Sequence, residues 1–287
     1  MDGVAKKFRW SRFLHAASNR GIIIPIDHGL TLGPIPGLTS VNQLESWLPH
    51  PGVTGVIAHK GMVERLGSRG LLQRMGVMVH LNGMTSLASA PAPDRKEVLT
   101  SVDMAVRLGA DAVSLQINFD GSNDVHNWKM LGAIVDEAQR YGMPVLTMLY
   151  DKVPSAQDGQ RITRLRHLMR ACVELGTDAL KLAAPAKPEE LPAILEGFLD
   201  HTPIFFAGGA VTSDEALLAL AREVAVCGAS GFCVGRNVFQ RENPADIITR
   251  LARVVLEDVE LAPPSIGPFF HGTGRPREQR TALAAVS

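Results

Sequence analysis

Eight short apolar runs punctuate the chain, at Ile22–Asp27, Val53–Ala58, Val77–Leu81, Ala112–Phe119, Val145–Tyr150, Ala179–Ala183, Ile204–Ala207 and Phe232–Gly235. They are rich in Val, Ile and Leu and little interrupted by charge, the pattern of strands buried on both faces. Their starts recur every 24–35 residues, close to the length of one strand–helix unit. Stretches of helical period lie between them, such as Val98, Val102, Ala105 and Val106, or Leu131, Ile134, Val135 and Ala138. Several helix-to-strand junctions open on glycine: Gly109-Ala110-Asp111, Gly142-Met143-Pro144, Gly176-Thr177-Asp178 and Gly228-Ala229-Ser230. Glycine there supplies the left-handed residue that turns a helix end toward the next strand. The rhythm predicts an α/β fold, a single (β/α)8 TIM barrel. An open doubly wound sheet is the alternative, but its Gly-x-Gly-x-x-Gly after the first strand is missing.

Both ends depart from this rhythm. The first twenty residues carry Lys6, Lys7, Arg9, Arg12 and Arg20 against one acid, Asp2. A basic, acid-poor leader fits a transit peptide, whereas Phe8, Trp10, Phe13 and Leu14 fit the apolar stripe of a docked helix, the preferred reading. From about Pro263 the chain is rich in Pro, Gly and Arg and reads as an extended tail. The predicted organisation is therefore a helical extension over 1–20, a barrel over 21–258 and a tail over 259–287.

Composition narrows the class of function. With 287 residues and 46% hydrophobic positions, the chain can bury a large core without covalent staples. Lys plus Arg equals Asp plus Glu at 29 each, so no net charge points to nucleic acid or an anionic membrane surface. Three cysteines, Cys172, Cys227 and Cys233, make neither a disulfide framework nor a Cys-x-x-Cys metal site. No apolar run approaches transmembrane length, and the expected location is cytoplasmic.

In a TIM barrel the chemistry sits where strands end. Those positions hold Asp27-His28-Gly29, His59-Lys60-Gly61, His80, Gln116 with Asn118, Tyr150-Asp151-Lys152, Lys181, Gly208-Gly209 and Gly235-Arg236. Lys181 lies inside an apolar strand, where an ammonium must be paired or have its pKa pulled down. A desolvated, partly neutral amine can attack a carbonyl and form a Schiff base. The alternatives are a purely structural cation here, or Lys60 as the nucleophile. Tyr150 and Asp27 could carry the protons such a route moves, or simply cap the core and a loop. Gly208, Gly209 and Gly235 with Arg236 suit a phosphate cradle on the seventh and eighth strands, or plain turns. His28, His59 and His80 raise a metal site. Against it, there is no His-x-His pair, and neighbouring Asp27 and His28 would point to opposite faces of a strand.

Pro25-Ile26-Asp27-His28-Gly29 with Gly33-Pro34 and Gly37-Leu38 resembles the class I aldolases of the archaeal-type fructose-bisphosphate aldolase family, which includes 2-amino-3,7-dideoxy-D-threo-hept-6-ulosonate synthase. Leu131-Gly132, Asp136-Glu137, Tyr141-Gly142-Met143-Pro144-Val145-Leu146 and Gly235-Arg236-Asn237-Val238-Phe239-Gln240 extend the likeness over roughly residues 20–255. The resemblance implies a barrel that assembles into homo-oligomers up to decamers, with no cofactor beyond a covalent lysine Schiff base and no metal. It places the Schiff-base lysine at Lys181, the proton-transfer tyrosine at Tyr150 and the carboxylate at Asp27. Substrate binding would fall to His28, Gln116, Lys152, Gly208, Gly209, Gly235 and Arg236. The implied substrates are dihydroxyacetone phosphate and an aldehyde, with aspartate semialdehyde preferred, giving an amino-heptulosonate phosphate. Fructose-1,6-bisphosphate cleavage is the alternative within the class, and a non-catalytic phosphoketose-binding barrel the alternative outside it. One departure stands out: Asp151-Lys152-Val153 replaces the family's Pro-Arg-Gly after the tyrosine, over the acceptor side of the pocket.

Overall fold

The apolar runs pair into a closed parallel barrel in a computed structural model that describes residues 3–84, 95–153 and 158–257. Its strands are β1 (Gly21–Pro25), β2 (Gly55–Ala58), β3 (Gly76–His80), β4 (Ala112–Phe119), β5 (Val145–Asp151), β6 (Ala179–Ala183), β7 (Ile204–Ala207) and β8 (Gly231–Cys233). Each pairs with its sequence neighbours, and β1 closes on β8 with Gly21 opposite Gly231 and Ile23 opposite Cys233. The expected (β/α)8 architecture is what forms. Three expected strands end early, β3 by one residue at His80. β1 stops at Pro25 rather than Asp27, and β8 at Cys233 rather than Gly235, because helices begin there at His28 and Arg236.

Alternation along the strands creates two cores. Ile22, Ile24, Val56, Val79, Leu180 and Phe206 face outward and pack against the helical layer. Ile23, Ile57, Met78, Ala112, Leu146, Met148, Ala179, Phe205 and Cys233 fill the barrel interior. Lys181, two residues beyond Ala179, inherits the inward face.

The floor of the barrel is closed by the N-terminal segment. A helix over Val4–Ser11 buries Lys6 and Trp10, one turn apart, and Lys6 pairs with Asp178 at 2.7 Å. Phe13 is completely buried, and a β-carbon on either Gly55 or Gly76 would lie 2.5 Å from its ring, so only glycine admits it. The expected apolar stripe is corrected at one residue, since Phe8 is exposed. Positions 8 and 10 lie about 200° apart around a helix and cannot share a face. The expected tail over 259–287 lies outside the described residues. The three cysteines are unpaired, and among the described residues no helix is long and apolar enough to cross a membrane.

At the opposite end of the barrel, a two-stranded antiparallel ribbon pairs Asn82–Gly83 with Glu97–Val98. It folds the chain after β3 back over the mouth.

Candidate active site

The C-terminal strand ends enclose a cavity of about 240 Å³ lined by Asp27, His28, Thr31, Leu32, His59, His80, Asn82, Gly83, Met84, Lys96, Gln116, Met148, Tyr150, Lys152 and Lys181. Strand register builds its floor. Met148 stands opposite Lys181 across β5 and β6, and Tyr150, two residues further along β5, shares their inward face. The Lys181 ammonium rests 3.8 Å from Met148 Sδ. Lys181 is 6% exposed. Burial opposes its charge, but Cys233, Tyr150 and Asp27 outweigh that opposition and hold its pKa above the ordinary lysine value. Burial pushes the Cys233 thiol up to about 11, so near neutral pH Asp27 is the standing anion of this group. Of the two settings the sequence allows, paired or pulled down in pKa, the structure gives Lys181 the paired one, with its pKa held above the ordinary lysine value.

Asp27 ends the chain's run out of β1 and precedes the helix His28–Leu32. Burial alone would raise its carboxyl, yet His80, His28, Lys181 and His59 together hold it at about 2. Its two oxygens face His28 Nδ1 and His80 Nε2, each at 3.6 Å. Because β1 ends at Pro25, Asp27 and His28 do not alternate as strand residues, and both line the cavity. This corrects the expectation that they point to opposite faces. His80 Nδ1 lies 2.9 Å from Ser114 Oγ, and burial drives the pKa of His80 down to about 3. Burial also lowers His28 and His59, so all three imidazoles are neutral at pH 7. Among the described residues no group of three or more His, Cys, Asp and Glu side chains is placed to hold a metal ion.

Gln116 is oriented from both sides. Its side chain donates to Asn118 Oδ1 at 2.8 Å, and its backbone exchanges two hydrogen bonds with the Asn82 amide. Beyond Tyr150 the unusual tripeptide splits. Asp151 turns away to Arg164 at 2.9 Å, whereas Lys152 lines the cavity and has its pKa lowered by burial.

The residues expected to bind phosphate lie on a separate edge. Gly208, Gly209, Gly235 and Arg236 are not part of the cavity wall. Asn237 ties this edge together by donating to Gly208 O at 2.8 Å and Ala210 O at 2.7 Å. A β-carbon at Gly208 would meet Val234 at 2.8 Å, and one at Gly235 would lie 2.9 Å from the His28 ring. The glycines thus let β7, β8 and His28 come together, and this edge adjoins the cavity through His28. Arg236 is exposed, reaching Gly209 O at 3.4 Å.

Two titratable residues of the site escaped sequence reasoning, beside uncharged lining residues such as Thr31 and Met148. Cys233 reads as a core residue of an apolar run, although its inward register at the end of β8 was available. Lys96 stands in the charged stretch Arg95-Lys96-Glu97, which reads as solvated loop; no local signal reveals that its side chain is buried.

A family model described as DeoC/LacD family aldolase matches residues 21–241. The 2-amino-3,7-dideoxy-D-threo-hept-6-ulosonate synthase 1 of Archaeoglobus fulgidus is 32% identical over 252 residues, covering 88% of this chain and 91% of that protein. The 2-amino-4,5-dihydroxy-6-oxo-7-(phosphonooxy)heptanoate synthase of Streptomyces griseus is 29% identical over 252 residues, covering 88% of this chain and 90% of its own length. An archaeal fructose 1,6-bisphosphate aldolase of known structure superposes with a TM-score of 0.74 at 25% identity, over 87% of this chain and 98% of that one.

Proposed function

Because the chain belongs to the DeoC/LacD family of aldolases, we propose that it is a Schiff-base aldolase joining dihydroxyacetone phosphate to aspartate semialdehyde. The product would be an amino-heptulosonate phosphate. The observation that carries the reading is Lys181, a buried ammonium in the cavity floor with Tyr150 and Asp27 about it.

Their properties support different duties. Asp27, held at about 2, is too weak a base to store a proton; it suits a fixed counter-ion for the Lys181 ammonium and for the iminium that follows. Tyr150 then carries the protons. Lys181 loses a proton to water and its amine attacks the ketone, giving a carbinolamine. The Tyr150 hydroxyl protonates the departing oxygen, water leaves and the iminium forms. The resulting phenolate removes the proton from the adjacent carbon, which regenerates the phenol and leaves an enamine. The enamine carbon bonds to the aldehyde carbon, and Tyr150 protonates the new alkoxide. Water, deprotonated by the phenolate, hydrolyses the iminium and releases the product. The Gly208-Gly209 and Gly235-Arg236 edge takes the donor phosphate, away from the reacting bond, where binding energy positions the ketone over Lys181. The synthase names of the relatives at 29% and 32% identity favour the amino-aldehyde acceptor. The likeness to an archaeal fructose 1,6-bisphosphate aldolase supports a second reading, with glyceraldehyde 3-phosphate as acceptor.

Borohydride reduction in the presence of dihydroxyacetone phosphate, read by intact mass and peptide mapping, tests the class. The expected result is one adduct, on Lys181, absent in Lys181→Met. No adduct at saturating donor would overturn the Schiff-base mechanism and leave a phosphoketose-binding barrel. Synthesis with aspartate semialdehyde against cleavage of fructose 1,6-bisphosphate then separates the two acceptors.

A further inference from the structure

Lys96 is a cation in the cavity that the mechanism above does not use. It precedes the second strand of the ribbon over the mouth, and hydrogen-bonding of its carbonyl to His126 Nε2 at 2.9 Å fixes its backbone. The side chain lines the cavity yet is only 6% exposed. Among the described residues its ammonium makes no hydrogen bond or ion pair. Burial lowers its pKa, and the attraction of Asp27 only partly opposes that. An ammonium that lines a walled cavity with no carboxylate hydrogen-bonded to it is suited to receive an anion delivered there.

Its position says which anion. The groups it interacts with are His59 and His80, which follow β2 and end β3, and Asp27 just beyond β1. The ring order places β2 and β3 across the mouth from β6 and β7, which carry Lys181 and the Gly208-Gly209 edge. Lys96 therefore faces the donor site from the far wall, and Lys152 beyond β5 adds a second cation on the way round.

We propose that Lys96 anchors the anionic end of the acceptor: its ammonium receives the carboxylate or phosphate of an aldehyde whose carbonyl carbon faces the enamine on Lys181. The subsite selects aldehydes bearing a terminal anion over uncharged ones. The inference rests on the aldolase reading and adds to it the group that recognises the second substrate.

The test compares wild type, Lys96→Gln and Lys96→Arg with aspartate semialdehyde, glyceraldehyde 3-phosphate and uncharged glyceraldehyde, alongside borohydride trapping of dihydroxyacetone phosphate. A lost charge-assisted hydrogen bond predicts a KM for the favoured anionic acceptor about 10–100-fold higher in Lys96→Gln. Constants for glyceraldehyde and the yield of the Lys181 adduct should change far less than the KM of the anionic acceptor, and Lys96→Arg should recover most of the loss. The acceptor with the larger dependence on Lys96 tells carboxylate from phosphate as the natural anion. Unchanged KM for both anionic acceptors, with trapping intact, would overturn the subsite and leave the aldolase reading standing. An equal loss with uncharged glyceraldehyde, or in donor trapping, would also overturn it, because Lys96 would then serve the donor or the shared chemistry. Absence of trapping in the wild-type enzyme would remove the aldolase reading itself, and the acceptor subsite with it.

Discussion

Asp27 and Lys181 set each other's charge, and that coupling is open to measurement. The carboxylate favours the ammonium, so Asp27→Asn should lower the pKa of Lys181. Trapping requires the free amine, so its pH dependence should shift toward lower pH in the variant, whatever happens to turnover. A profile that stays in place or moves upward would show that the carboxylate does not hold the lysine. Tyr150→Phe keeps the ring and removes the proton carrier; turnover should fall by about 10²–10⁴-fold, with the protein's stability little changed. At this scale the sequence reveals a residue when its periodicity fixes its direction. Lys181, Tyr150 and Gln116 sit on strands whose alternation aims them inward. Asp27 and His28 lie just past a strand end, where alternation lapses, and their shared placement in the cavity needed the tertiary structure.

The N-terminal helix shows how an element is recruited into the barrel. Its Lys6–Asp178 pair is buried on both sides, and Asp178 also accepts from the Val145 backbone N–H at 3.0 Å. Phe13 then plugs the floor between Gly55 and Gly76. Phe13→Ala should cost about 3–5 kcal/mol of stability through the cavity it leaves. Gly55→Ala should cost about 1–3 kcal/mol by crowding the same ring. The double variant should be more stable than the sum of the two losses implies, since removing the ring removes the clash. Denaturant unfolding of the four proteins checks this, and strict additivity would show that the ring and the glycine do not meet. The sequence indicates a docked apolar helix through Trp10 and Phe13, but not what it docks on. Glycines at strand starts look like turn residues until the ring they admit is in place.

For the molecule as a whole, three neutral histidines enclosed at one end of the barrel tie stability to pH. His80, lowered to about 3, and His28 and His59, also lowered, take up protons more readily in the unfolded chain. Between the ordinary histidine pKa near 6.5 and the folded values, the unfolded state binds more protons, so stability falls as the pH falls. His80, lowered to about 3, contributes a slope of about 1.4 kcal/mol per pH unit once the unfolded state is fully protonated, and His28 and His59 add in the same direction. His80→Asn should flatten the loss of stability measured by urea unfolding from pH 7 to 5; an unchanged slope would place the sensitivity elsewhere. Asp27 adds the opposite kind of group with the same sign: depressed to about 2, its contribution is present above its ordinary value and lost as the pH falls toward 2. The repeat of apolar runs, the glycine-led junctions and the inward strand positions were determined by the sequence alone, because periodicity and backbone conformation are local properties of the chain. The tertiary structure alone decided that Lys181 rests as an ammonium, that Lys96 is buried over the mouth, and that Phe13 rather than solvent fills the floor. Burial and electrostatic surroundings arise from residues far apart in the chain, brought together only when the barrel closes.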